Sequence, residues 1–233
     1  MQISHKYKFI FFSNPKTGSE TVRKILEPYS DEAITIFQNR TKENPFYSHM
    51  SPTEAKDIFQ DRGINYDDYF KFVFVRNPWA RLVSLYEMIY SNKATKNVKN
   101  PLKFTIKTMY KKVFTKTPDF KVWLETIENH GVGGGGAEWE KWRRYGTYSL
   151  DNYIMDDNKN ILVDKVIKLE NIQLDLKPTL KELGIHIDEN LKLEKVNARK
   201  YQKYTQYYDK KSIDLVAKMY QYDISEFDYK FGE

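Results

Sequence analysis

The chain contains no cysteine. That excludes a disulfide scaffold, a Cys-ligated zinc or iron–sulfur site and a cysteine nucleophile. No apolar run approaches the roughly 18 residues that a membrane helix needs. The opening MQISHKYKFIFF shows no h-region of signal-peptide length and no small-residue cleavage site. These features predict a soluble, cytoplasmic protein. There is no dense carboxylate or histidine cluster of metal-site type, so no metal is expected. From Met88 to Pro118 there is not one acidic residue.

What remains is ample for a core. The 233 residues are 40% apolar, 15% aromatic and 30% charged, with a mean hydropathy of −0.71. This composition fits one domain of 1–233 with a strongly charged surface, and it argues against disorder. Within it, 91–160 reads as a more variable, helical, acceptor-binding insertion. The net charge of +6 suits an anionic partner, or simply reflects a Lys-rich surface.

Apolar runs alternate with helical spacing. Lys8–Ser13 reads as a buried strand that ends at Asn14-Pro15, and Gly18–Leu26 as the helix after it. Ala33–Phe37 is a second strand candidate. Ser51-Pro52-Thr53-Glu54 carries an N-cap, a first-turn proline and a capping-box acid, which predicts a helix to about Asp61 stopped by Gly63. Tyr69–Val75 is the clearest strand, and Asn77-Pro78 opens a helix to about Tyr90. Further helices are expected after Thr117-Pro118-Asp119, over Asn171–Leu183 and over Asp209–Tyr220, with a fourth strand at Lys165–Leu169. The alternation implies parallel strands with helical crossovers, an α/β layered domain.

Two strand–loop–helix junctions carry the chemistry. In Asn14-Pro15-Lys16-Thr17-Gly18-Ser19-Glu20-Thr21, Gly18 permits close backbone approach, the helix N-terminus presents N–H groups, Lys16 adds a positive charge, and three hydroxyls add donors. The set suits a phosphate or sulfate. It is not the G-x-x-x-x-G-K-[ST] loop, because Lys16 precedes the only glycine. The second junction is Val75-Arg76-Asn77-Pro78-Trp79-Ala80-Arg81-Leu82-Val83-Ser84-Leu85-Tyr86. Arg76 ends a strand with a planar fork suited to phosphate. Arg81 and Ser84 are three apart and share a helix face. Taken singly, each junction has a plain structural reading. Two anion sites on one sheet edge suit a nucleotide with phosphates at both ends of its ribose.

These motifs resemble those of sulfotransferases that use 3′-phosphoadenosine-5′-phosphosulfate (PAPS), of the carbohydrate-modifying type. Asn14–Thr21 is similar to the 5′-phosphosulfate loop, and Arg76–Tyr86 to the 3′-phosphate motif. Lys168-Leu169-Glu170-Asn171 and the tail from Asn197 to Phe231 continue the likeness. Ser19-Glu20-Thr21, Lys168 and Ala198 depart from the family's usual residues. The resemblance implies a P-loop-like, three-layer α/β fold and in-line transfer of a sulfuryl group to a carbohydrate hydroxyl, with 3′-phosphoadenosine-5′-phosphate (PAP) as product. It implies that Pro15, Lys16, Thr17, Gly18, Ser19, Glu20, Thr21, Arg76 and Ser84 bind the nucleotide. Arg81 either assists them or serves a structural ion pair. Arg199 and Tyr201, in a basic aromatic tail segment, either close over the nucleotide or form a surface loop. Lys16 would offset charge on the leaving phosphate, and His49, in Ser48-His49-Met50-Ser51, would be the general base. Glu20 is the rival base.

Eight lysines occupy the acid-free stretch, and Lys103, Lys107 and Lys111 recur every four residues. They would attract a polyanionic acceptor, or form a solvated helix face. After the glycine run 131–136, Trp139 and Trp142 either stack on sugar rings or lie in the core. Two rival functions are a non-catalytic nucleotide- or glycan-binding protein and an ATP-dependent small-molecule kinase. The kinase would require a Walker-type loop and acidic Mg²⁺ ligands, and neither is evident. Nucleic-acid binding lacks any recognition motif.

Overall fold

The computed structural model describes residues 1–90, 118–130, 145–187 and 202–233. Four strands form one sheet in spatial order β1-β2-β3-β4: β1 Gln2–Ser4, β2 Phe9–Phe12, β3 Phe70–Val75 and β4 Lys165–Lys168. β2, β3 and β4 are mutually parallel, with Phe11 opposite Phe72 and Val73 opposite Val166. β1 runs antiparallel on the outer edge of β2. The helices are α1 Ser19–Leu26, α2 Pro52–Asp61, α3 Pro78–Tyr90, α4 Phe120–His130, α5 Leu150–Ile154, α6 Ile172–Glu182, α7 Lys210–Met219 and α8 Gln221–Phe227.

The period-2 alternation of the strands builds two cores. Phe9, Phe11, Phe72, Phe74 and Ile167 face one side, where Val22 and Leu26 of α1 and Leu176 and Leu180 of α6 cover them. Ile3, Ile10, Phe12, Val73 and Val75 face the other, against Phe59 of α2, Leu82 and Val83 of α3, Trp123 of α4, Tyr153 of α5 and Val216 of α7. Helices on both faces of a mostly parallel sheet match the expected three-layer α/β class. The described parts of 91–160 contribute α4 and α5 to this second core.

The capping box forms as read from Ser51 and Glu54: the Glu54 amide donates to Ser51 Oγ, and the Ser51 amide donates to Glu54 Oε2, both at 3.3 Å. Pro178 lies inside α6 without ending it.

One expectation fails. Ala33–Phe37 is not a strand. Only a single bridge joins Thr35 to Tyr47, Ile36 is 55% exposed, and Phe37 opens a 3₁₀ turn. The free edge of β2 that such a strand would need is taken by β1. That strand is only three residues long, too short for any periodicity to reveal.

Candidate functional site

The carboxyl ends of the three parallel strands lead into three loops that are stitched together. The loop after β2 holds Ser13–Gly18. The loop after β3 holds Arg76 and Asn77, and β4 runs into Leu169–Asn171. Arg76 Nη1 donates to the Lys16 carbonyl at 3.2 Å. The Asn77 amide donates to Glu170 Oε1 at 3.0 Å. The two motifs read from the sequence as anion sites, 60 residues apart, thus meet at one sheet edge.

The first loop is tightly built. Thr17 is fully buried, and its hydroxyl donates to the Asn14 carbonyl at 2.8 Å. Pro15 and Ser19 are buried, while Lys16, Gly18, Glu20 and Thr21 are half-buried. Lys16 has φ +67 and Gly18 φ +76. A non-glycine residue in the left-handed region costs on the order of 1–3 kcal/mol and persists only where its surroundings enforce it, typically at functional sites. At Gly18 the reason for glycine is double. Beyond its positive φ, a Cβ there would lie 2.5 Å from Leu169 Cδ1. Lys16 extends across the sheet end, with Nζ 3.5 Å from Met88 Sδ in the last turn of α3.

His49 joins the same loop. Its Nδ1 lies 2.7 Å from the Ser13 carbonyl. A carbonyl only accepts, so Nδ1 carries the proton and Nε2 keeps its lone pair. Burial first, then the amino group of Met1, Arg23 and Lys16, lower the His49 pKa to about 3, against the raising effect of the Ser13 carbonyl. The imidazole is therefore neutral at neutral pH, with the tautomer that an acceptor of protons needs.

Ser84 lies in α3 and is 9% exposed. Arg81 is wholly buried and engaged elsewhere. Its Nη2 donates to the carbonyls of Tyr148 and Gly146, Nη1 lies 3.8 Å from Asp223 Oδ2, and the guanidinium sits over the Tyr220 ring. Of the two readings for Arg81, these contacts are those of the structural ion pair. It pins α3 to α8 and to the turn before α5.

Sequence reasoning missed how the tail closes on the site. Asn77 Nδ2 donates to the Lys230 carbonyl at 3.0 Å. Tyr229 OH donates to Glu170 Oε2 at 3.1 Å, and Lys168 Nζ to the Phe227 carbonyl at 2.7 Å. Glu170 is thereby a bridge between β3, β4 and the chain end.

Arg199 and Tyr201 lie outside the described residues, as do Lys103, Lys107, Lys111, Trp139 and Trp142. Among the described residues no group of His, Asp and Glu is arranged to hold a metal, and no helix is long and apolar enough to cross a membrane.

A mixed sheet flanked by helices, with the loops after its parallel strands stitched together at one edge, defines a P-loop-like α/β protein. The family model described as "Sulfotransferase family" matches residues 1–230, and the chain belongs to that family. Neither a search of curated proteins nor one of solved structures returned a match. Family membership gives the reaction class as sulfuryl transfer to an acceptor.

Proposed function

We propose that the protein transfers a sulfuryl group from PAPS to a hydroxyl of a carbohydrate acceptor, as one domain over 1–233. The observation that carries this reading is the hydrogen bond from Arg76 to the Lys16 carbonyl, which brings the two loops read as anion sites side by side. A nucleotide bearing charge at both its 5′ and 3′ positions uses both.

In this reading Pro15–Thr21 cradles the 5′ end, and Arg76 with Ser84 holds the 3′-phosphate. Arg81 is left out, because its guanidinium is occupied in the core. PAPS supplies a sulfuryl group on a phosphate leaving group. Lys16 offsets the negative charge that grows on the departing oxygen, an interaction stronger in the transition state than in the ground state. His49 Nε2 takes the acceptor proton. The tautomer imposed by Ser13 supports His49 over Glu20, whose place in the first turn of α1 suits a helix-end acid. Lys103, Lys107 and Lys111 attract an acidic or already sulfated glycan, and Trp139 and Trp142 stack on its sugars. Arg199 and Tyr201 cover the nucleotide.

A thermal-shift comparison of PAP, ATP-Mg²⁺ and 5′-AMP tests the reading. At about 100 times Kd a ligand adds roughly 2.7 kcal/mol, a shift on the order of 5–10 °C for a chain of this size. Stabilisation by PAP alone is expected. A shift with ATP-Mg²⁺ instead would indicate a kinase, and no shift with any of the three would indicate that this nucleotide site does not exist.

A further inference from the structure

His49 sits at the corner of a tight turn. The Met50 amide donates to the Tyr47 carbonyl at 3.2 Å, which leaves Ser48 and His49 as the two central residues. One such bond does not by itself hold a side chain still. Here the turn is gripped on both sides. Tyr153 of α5 is 1% exposed, and its OH donates to the Met50 carbonyl at 2.8 Å. Glu54 of α2 gathers three donors on Oε2: Tyr47 OH at 2.5 Å, Tyr145 OH at 2.6 Å and the Ser51 amide at 3.3 Å. A capping box accounts for the Ser51 contact, and the two phenols are additional to it. The rings of Tyr145 and Tyr153 meet edge to face with centroids 5.3 Å apart, so Tyr145 braces both grips. Burial first, then Tyr145 and Glu54, raise the pKa of Tyr47 and of Tyr153, so both phenols keep the protons they donate.

These contacts fall on residues 47, 50 and 51, on either side of His49. We infer that Glu54 and Tyr153 clamp the turn so that His49 keeps Nδ1 on the Ser13 carbonyl and presents Nε2 to the acceptor proton. This role rests on the reading of His49 as general base. Glu54 and Tyr153 are positioning residues: they act through the backbone of the turn and exchange no proton. A base must stay within hydrogen-bond reach of the hydroxyl it serves, and a turn that rocks loses that geometry.

The tautomer of His49 reports on the clamp, because the bond made by one ring nitrogen decides which of the two carries the proton. The experiment is long-range ¹H–¹⁵N NMR of the histidine rings in the ¹⁵N-labelled full chain at neutral pH. It compares the wild type with Tyr153→Phe, Glu54→Ala, Glu54→Gln and Tyr66→Phe. The chain has four histidines, and His49→Gln identifies the signals of His49 by their loss. The wild type is expected to show one tautomer, protonated on Nδ1. Tyr153→Phe and Glu54→Ala are expected to replace it with a mixture of both. Glu54→Gln keeps an acceptor oxygen and the capping box, so it is expected to restore most of the single form. Tyr66→Phe removes a buried bond of the same kind outside the turn, from Tyr66 OH to the Leu162 carbonyl at 2.9 Å, and should leave the His49 signals unchanged. Should Tyr153→Phe or Glu54→Ala fail to fold, the other carries the same comparison. A single Nδ1–H form that persists in these variants, or a mixture that appears in Tyr66→Phe as well, overturns the clamp and leaves His49 standing as the base. A wild type protonated on Nε2, or on both nitrogens, overturns the clamp and the base reading together.

Discussion

Arg76 and Lys16 are joined side chain to backbone: the guanidinium of one donates to the carbonyl of the other at 3.2 Å. The bond ties the residue proposed for the 3′-phosphate to the loop proposed for the 5′ end. It also helps to hold Lys16 at φ +67, a conformation that a lysine does not adopt unaided.

Lys16→Met removes the charge but keeps most of the length of the side chain. If Lys16 acts on the leaving oxygen, kcat at saturating PAPS falls about 10²–10³-fold. The affinity for PAP changes far less, because the interaction is strongest in the transition state. A matching loss in both would assign Lys16 to ground-state binding. Steady-state rates beside PAP titrations separate the two cases.

Arg76 and Arg81, five residues apart in one motif, are expected to fail in different ways. Arg76→Ala weakens PAP about tenfold or more and leaves Tm nearly unchanged. Arg81→Ala leaves Asp223 buried without its partner, which costs about 3–5 kcal/mol of stability. The folded fraction of Arg81→Ala still binds PAP within about threefold. Replacing both members, Arg81→Met with Asp223→Leu, recovers most of the loss. Denaturant melts with PAP titrations on each variant check this, and a selective loss of PAP affinity in Arg81→Ala would return Arg81 to the nucleotide site.

Much of this arrangement was legible before the structure. The runs FIFF and FKFVFV could only be buried strands. The Ser51 and Asn77 helix starts carry their own capping chemistry, so both helices began where expected. Other parts were not legible, for identifiable reasons. β1 is shorter than any period. Arg81 and Ser84 share a helix face by spacing, but spacing cannot show that Asp223, Gly146 and Tyr148 converge on one and not the other. Glu170 bridges Asn77 and Tyr229 across 93 and 59 residues, a contact set by topology alone.

Gly18 and Gly63 offer a paired test of the loop. Both have positive φ, +76 and +67. An added Cβ meets nothing within 4 Å at Gly63, but Leu169 Cδ1 at 2.5 Å at Gly18. Gly63→Ala is expected to cost about 1 kcal/mol, the strain of the left-handed region alone. Gly18→Ala adds displacement of Leu169, the residue before Glu170, and should cost about 1–3 kcal/mol more, in line with overpacking. It should also weaken PAP, since the loop and the β4 end move together. Equal melting temperatures for the two variants would show that Leu169 yields freely.

The pH dependence of stability should carry two opposing signatures. His49 has its pKa lowered to about 3 by burial, so between about pH 6.5 and 3 the unfolded chain binds a proton that the folded chain refuses. Its contribution is fully present above pH 6.5 and is lost as pH falls. Asp223 is pushed up to about 6, chiefly by burial and against the pull of Arg81. Between about pH 4 and 6 the folded chain therefore binds the extra proton, and that contribution grows as pH falls. Each slope is about 1.4 kcal/mol per pH unit where the two states differ by one proton. From about pH 6 to 4 the two therefore cancel. His49→Gln removes one side of the balance: relative to the wild type, it should gain stability steadily as pH drops from 6.5 to 4. Guanidinium melts at half-unit pH steps read this directly. A difference between variant and wild type that stays flat across that range would mean that His49 titrates normally, and that burial does not hold it in the neutral form a general base needs.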